Sequence, residues 1–200
     1  MIERLLAIDP SWNSTGWALF ENGEPIETGH VKFRAARTGR MYMPDEHIGI
    51  RNRQVYEWIN NLLIYANVTD SVGRFEVAIE EPVFSSGITT AKTLAAFPEI
   101  VSIIKLVCCH RDFPMFFYNQ SDRLPTMKDY IGKKEYTSMN KKFKNQFIEI
   151  NGTTKGSQSL ANKKLSMTLA LHKWLDIVPE CDDEADALWI GQTHLNQKNK

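Results

Sequence analysis

Acidic side chains fall at three places in this chain where carboxylates can act together. Asp9 ends the apolar run at residues 2–8, and Glu80 ends the run at residues 75–79. Asp183 and Asp186 are three residues apart, so on a helix they share one face. Ligands of open α/β sheets gather outside the carboxyl ends of strands, which would bring Asp9 and Glu80 to one place. Carboxylates within ~4–6 Å of one another raise each other's pKa, and a divalent cation relieves that conflict. An all-oxygen donor set suits Mg²⁺ or Mn²⁺, whereas zinc prefers histidine and cysteine. Singly, each acid has an ordinary explanation. Asp9-Pro10 is turn chemistry, Glu80-Glu81-Pro82 reads as exposed, and acids at a helix start complement its dipole. The functional reading rests on the set.

Local signals supply a frame for these acids. Residues 2–8 read as a buried strand and 15–20 as a second, and Asn22-Gly23 is a hairpin signal leading to a third at 26–33. Pro44-Asp45-Glu46 opens a helix whose apolar positions Ile48, Val55, Ile59, Leu62 and Leu63 keep helical spacing to about Ala66. A strand at 75–79, reached across that helix, predicts a parallel crossover onto the first strand. Pro98 is expected to split two helices, 89–96 and 99–110, before a fifth strand at 115–118. Helices are expected at 127–131, 165–175 and 183–194, the last with Asp182 as its cap. The pattern predicts an α/β fold. Its mixed central sheet has three antiparallel N-terminal strands plus two parallel strands, flanked by helices.

Composition bounds the class. Two hundred residues, 42% hydrophobic and 24% charged, predict a single domain, 1–200, with a real core. No run approaches the ~20 apolar residues of a membrane span, and Glu3, Arg4 and Asp9 make a poor secretion signal. Cys108, Cys109 and Cys181 form no paired framework, so a reducing cytoplasm is expected. Cys108-Cys109-His110 lacks zinc spacing and reads as burial in an apolar helix, and His172 and His194 read as surface or core residues. The formal net charge of zero is uneven. Residues 133–164 hold eight lysines against Glu135 and Glu149, a local +6, while Glu180, Asp182, Asp183, Glu184 and Asp186 crowd together. Tyr136, Phe143 and Phe147 interleave with those lysines. That suits a DNA-contacting arm, with lysines on phosphates and rings on unpaired bases, or else a solvated loop.

Leu6-Ala7-Ile8-Asp9-Pro10, followed by Thr15-Gly16-Trp17-Ala18, resembles the first motif of RuvC-type Holliday junction resolvases. Ala78-Ile79-Glu80-Glu81-Pro82-Val83-Phe84 is similar to their second acidic motif, and Asp183-Glu184-Ala185-Asp186-Ala187-Leu188 to their last. Three motifs in order cover nearly the whole chain. The resemblance implies an RNase H-like fold and Mg²⁺-dependent cleavage of four-way DNA junctions during recombination or repair, with Mn²⁺ as a substitute. It also implies two ions per site, 5′-phosphate products and a homodimer joined through the helix at 99–110. Asp9, Glu80, Asp183 and Asp186 then correspond to the catalytic, metal-binding quartet, with Asp182 a rival for Asp183.

Phe84 corresponds to an aromatic beside the junction, one residue further from the glutamate than in the family. Glu81 stands where the family often has an amide, and Ser11 where it commonly has glycine. Lys163 and Lys164 fall nearest the family's basic DNA contact. The stretch near 133–164, with Lys141, Lys142 and Lys144, looks like a basic insertion that grips DNA. Three alternatives share parts of the pattern: a broader flap or branched-DNA nuclease, a junction-binding module that no longer cuts, and an actin- or sugar-kinase-like ATPase.

Overall fold

In the computed structural model, residues 4–11, 14–33, 45–67, 74–81 and 91–199 are described, with side chains for all of these except 45–48 and 91–98. The first strand, β1 (Arg4–Asp9), is buried on both faces: Leu5 and Ala7 enter one core, Leu6 and Ile8 the other. That double burial is why its sequence is a continuous apolar run rather than an alternation. β2 (Thr15–Glu21) returns antiparallel, and Asn22 and Gly23, with φ of 51° and 90°, turn the chain into β3 (Glu24–Val31). Both turn residues need positive φ, which asparagine and glycine tolerate best.

Helix α1 (Asp45–Asn67) then crosses over to β4 (Phe75–Glu80), parallel to β1. Helix α2 (Ala91–His110) crosses to β5 (Met115–Tyr118), parallel to β4. The strand order is β3-β2-β1-β4-β5, the mixed sheet expected from the sequence. Val55, Ile59 and Leu63 of α1 and Ile100 and Ile104 of α2 cover one face. The other face carries α3 (Gln120–Ile131), α4 (Lys133–Asn151), α5 (Ser157–Lys173) and α6 (Asp182–Lys198). Among the described residues no helix is long and apolar enough to cross a membrane.

Several expectations need correction. Pro98 does not divide two helices, because α2 runs through it; proline removes one hydrogen-bond donor without ending the helix. The cap of α6 is Cys181, and Asp182 is already the first helical residue. Cys108 is buried as expected, but Cys109 and His110 are exposed. Residues 133–164 are not one solvated loop: α4 and the first half of α5, joined through 152–156, pack side by side. Tyr136 and Phe143 are buried there and Phe147 is half-buried, so the first two rings are core rather than free stacking platforms. Lys164 lies over the rings of Phe143 and Phe147, at 5.1 and 6.0 Å from their centroids.

The placement of α6 matters most. Phe20 packs so closely on α6 that a Cβ at Gly191 would meet its ring at 2.2 Å. Further along, the fully buried His194 ring receives β4 and β5 together: its Nε2 is 2.6 Å from Glu76 Oε2 and its Nδ1 is 2.7 Å from the Tyr118 hydroxyl. Burial lowers the His194 pKa, against the pull of Glu76. Arg74 and Lys198 add ion pairs to Glu76, which compensates an acid buried in the core. These contacts tie the C-terminal half of α6 to the strand that ends in Glu80.

Candidate active site

Strand pairing sets Asp9 beside Glu80. Ile8 pairs with Ile79 across β1 and β4, so the next residue of each strand lies at the same edge of the sheet. Both side chains point to the face covered by α6, as the alternation from Ala7 and Ala78 requires. Asp183 and Asp186 come from the first turns of α6, laid over those strand ends. Gly16 makes that approach possible: it pairs with Asp9, and a Cβ on it would meet the Asp183 backbone at 2.2 Å. The start of α6 is also held from β3, where His30 Nδ1 lies 2.6 Å from Oε1 of the buried Glu184. Oε2 of Glu184 accepts the Glu180 amide at 3.0 Å.

The electrostatics express this convergence. Burial, then the charges of Glu80 and Asp186, push the Asp9 carboxyl well above its usual range; Arg123 pulls it back and Asp183 pushes further. Burial, opposed by Arg123 and reinforced by Asp186, moves Glu80 up to about 7. Burial also raises Asp183. Asp182 Oδ2 is paired to Lys163 Nζ, and it is the charge of Asp183, rather than that of Asp182, that reaches Asp9.

Arg123 is the residue that sequence reasoning missed. The residue is 4% exposed, and its guanidinium bridges two of the acids, 3.0 Å from Glu80 Oε2 and 2.5 Å from Asp186 Oδ1. The Ser166 hydroxyl donates to the same Asp186 oxygen. One signal could have pointed to Arg123: clustered acids need a compensating cation, and the helix after β5 starts beside the end of β4. The donor set fits a hard divalent cation. It is all oxygen, and with Asp9, Glu80, Asp183 and Asp186 together it carries more negative charge than Arg123 offsets. Of the DNA contacts expected from the sequence, Lys141, Lys142 and Lys164 are exposed and Lys144 is half-buried. Lys163 is exposed but engaged with Asp182. Phe84 lies outside the described residues.

A mixed five-stranded sheet with carboxylates at adjacent strand ends and on the last helix defines a domain of the RNase H-like class. No protein-family profile matches the chain. It is 24% identical over 196 residues to the crossover junction endodeoxyribonuclease RuvC of Pseudothermotoga lettingae, covering 98% of this chain and 95% of that protein. Among solved structures it matches Thermus thermophilus RuvC in complex with a Holliday junction substrate, with a TM-score of 0.60 and 14% identity over 98% of this chain and 94% of that one. It also matches the yeast mitochondrial Holliday junction resolvase Ydc2, with a TM-score of 0.55 and 14% identity over 98% and 78% of the two chains. Over almost its whole length the chain is thus similar in sequence to one RuvC and similar in fold to RuvC-type resolvases.

Proposed function

We propose that this protein is a structure-selective endonuclease that cuts four-way DNA junctions, leaving 5′-phosphate and 3′-hydroxyl ends. The observation that carries the reading is the convergence of Asp9 and Glu80, at neighbouring strand ends, with Asp183 and Asp186 above them. These four side chains would hold Mg²⁺, or Mn²⁺ in its place, as two ions per site. When bound, such ions supply Lewis-acid activation of the attacking water and stabilise the leaving oxygen. The chain's own residues prepare that site. Arg123 keeps Glu80 and Asp186 apart from one another's charge and aims both inward. Ser166 fixes the rotamer of Asp186, and Lys163 draws Asp182 away from the cluster.

A four-way junction presents two strands to cut, so a homodimer with paired sites suits it. α2 is the proposed interface: Leu106 is exposed there, beside Lys105, which lies over the exposed Phe117 ring. The exposed lysines of α4 and α5 are the proposed grip on DNA phosphates. Free Cys108, Cys109 and Cys181 support placement in a reducing cytoplasm.

Incubating the protein with labelled four-way junctions, forks and flaps, with and without Mg²⁺, tests the reading. Paired symmetric cuts in the junction alone, dependent on the ion, are expected. No cutting, or faster cutting of flaps, would overturn it.

A further inference from the structure

Between α3, α5 and α6 a cleft with a free volume of about 60 Å³ opens beside Asp186. Its polar lining comes from Gln120, Arg123, Ser159, Asn162, Lys163 and Ser166, above a floor that includes Met127 and Tyr136. Two details show which way its polar groups face. Arg123 spends its terminal nitrogens on Asp186 and Glu80, yet its Nε is buried without any hydrogen bond. Asn162 is oriented by an amide ladder: its Oδ1 accepts from Asn140 Nδ2 at 2.8 Å and from Gln158 Nε2 at 2.9 Å. Gln158 Nε2 also donates to Asn140 Oδ1 at 2.8 Å. Flipping Asn162 would set NH₂ groups against each other, so its own NH₂ is left for the cleft. The acid at the cleft, Asp186, already accepts from Ser166 and is paired with Arg123 through the same oxygen.

Donors that no acceptor claims, the Asn162 NH₂ and the Ser159 hydroxyl, set beside the buried Arg123 guanidinium, describe a receptor for an anion. We infer that this cleft is a phosphate subsite. It takes a backbone phosphodiester of the bound DNA strand next to the one cut, through the Asn162 NH₂ and the Ser159 hydroxyl, with the Arg123 guanidinium as buried positive charge behind them. Such contacts position a strand without reading its sequence. The inference rests on the nuclease reading above and adds to it a place for the strand beside the carboxylates. It also explains the amide ladder, which otherwise orders three polar side chains on partly exposed helix faces with no stated gain.

The test is binding of a fluorescent four-way junction in EDTA, where cutting is off. Asn162→Asp keeps the ladder's acceptor and replaces the cleft-facing donor with a negative oxygen. Loss of one hydrogen bond to a charged phosphate should raise the Kd about tenfold or more. Ser159→Asp is the second variant. The residue is exposed and sits in the first turn of α5, where an added acid favours the helix dipole. Its melting temperature should therefore hold or rise while junction affinity falls, a divergence that a structural role would not produce. Asn61→Asp, the same charge change on exposed α1 across the sheet, is the control and should stay within about twofold. Unchanged affinity in both cleft variants, or equal weakening by Asn61→Asp, would overturn the subsite. The nuclease reading fails separately, on the wild-type protein's inability to cut junctions.

Discussion

Glu80→Gln should make the metal-free protein more stable above neutral pH while abolishing cleavage. Burial, relieved by Arg123 and aggravated by Asp186, moves the Glu80 carboxyl from an ordinary 4.5 to about 7. The folded chain then keeps a proton that the unfolded chain releases. Stability from this group is therefore full below 4.5 and is lost as pH rises through about 7. At about 1.4 kcal/mol per unit, ionising Glu80 costs the fold roughly 3 kcal/mol by pH 8 and under ~1 kcal/mol at pH 5. Glutamine keeps the shape and removes the charge. It also forfeits the 3.0 Å ion pair with Arg123, which retains Asp186 at 2.5 Å. The pull of Arg123 is already contained in the Glu80 value of about 7, so losing this pair adds no separate cost to that pH dependence.

Urea unfolding in EDTA measures the difference between variant and wild type at each pH, and the difference cancels the groups that Glu80 does not touch, while Asp9, which the Glu80 charge pushes up, responds with it. It should shift in the variant's favour by about 2–3 kcal/mol between pH 5 and pH 8. Saturating Mg²⁺ should reverse that shift by stabilising the wild type alone. A difference that is flat across this range, or that moves toward the wild type, would refute the claim that clustered carboxylates strain the fold.

Asp9→Asn, Asp183→Asn and Asp186→Asn should each abolish junction cleavage in Mg²⁺ and leave gel-shift binding intact. Asp182→Asn loses only an exposed ion pair with Lys163, worth at most ~1 kcal/mol, and should keep cutting; the reverse pattern would exchange the roles of Asp182 and Asp183. Gly16→Ala forces a methyl into the Asp183 backbone at 2.2 Å, so it should cost about 1–3 kcal/mol in a thermal or urea melt and slow cleavage as α6 lifts. A neutral Gly16→Ala would mean that α6 does not sit this close to β2. Replacing Lys141, Lys142 and Lys144 together with alanine should weaken junction binding and flatten log Kd against log salt by roughly 0.9 for each lysine that contacts phosphate. The cutting rate at saturating enzyme should hold, and an unchanged slope would show that this face of α4 is merely solvated.

Much of the sheet was legible in local chemistry. Asn22-Gly23 demands positive φ and so announces its hairpin, and the unbroken apolar run before Asp9 announces a strand buried on both faces. The boundaries that failed depended on neighbours. Pro98 sits inside a helix that continues through it, and Tyr136 and Phe143 alternate with lysines yet face the core, because α4 packs along α5. Spacing alone also says that Asp183 and Asp186 share a helix face, but not that Asp182 is drawn away by Lys163.

By itself the sequence determined which residues could form the site: acids at two strand ends and at one helix start, each specified by short-range period and turn chemistry. Only the tertiary structure decided what surrounds them. Arg123 meets Glu80 and Asp186 because α3 begins at the end of β5, a relation that strand order creates. His194 meets Glu76, 118 residues earlier, because α6 lies along β4. A buried charge is tolerated only where a partner reaches it through the fold, and partners chosen by packing leave no periodic trace in the chain.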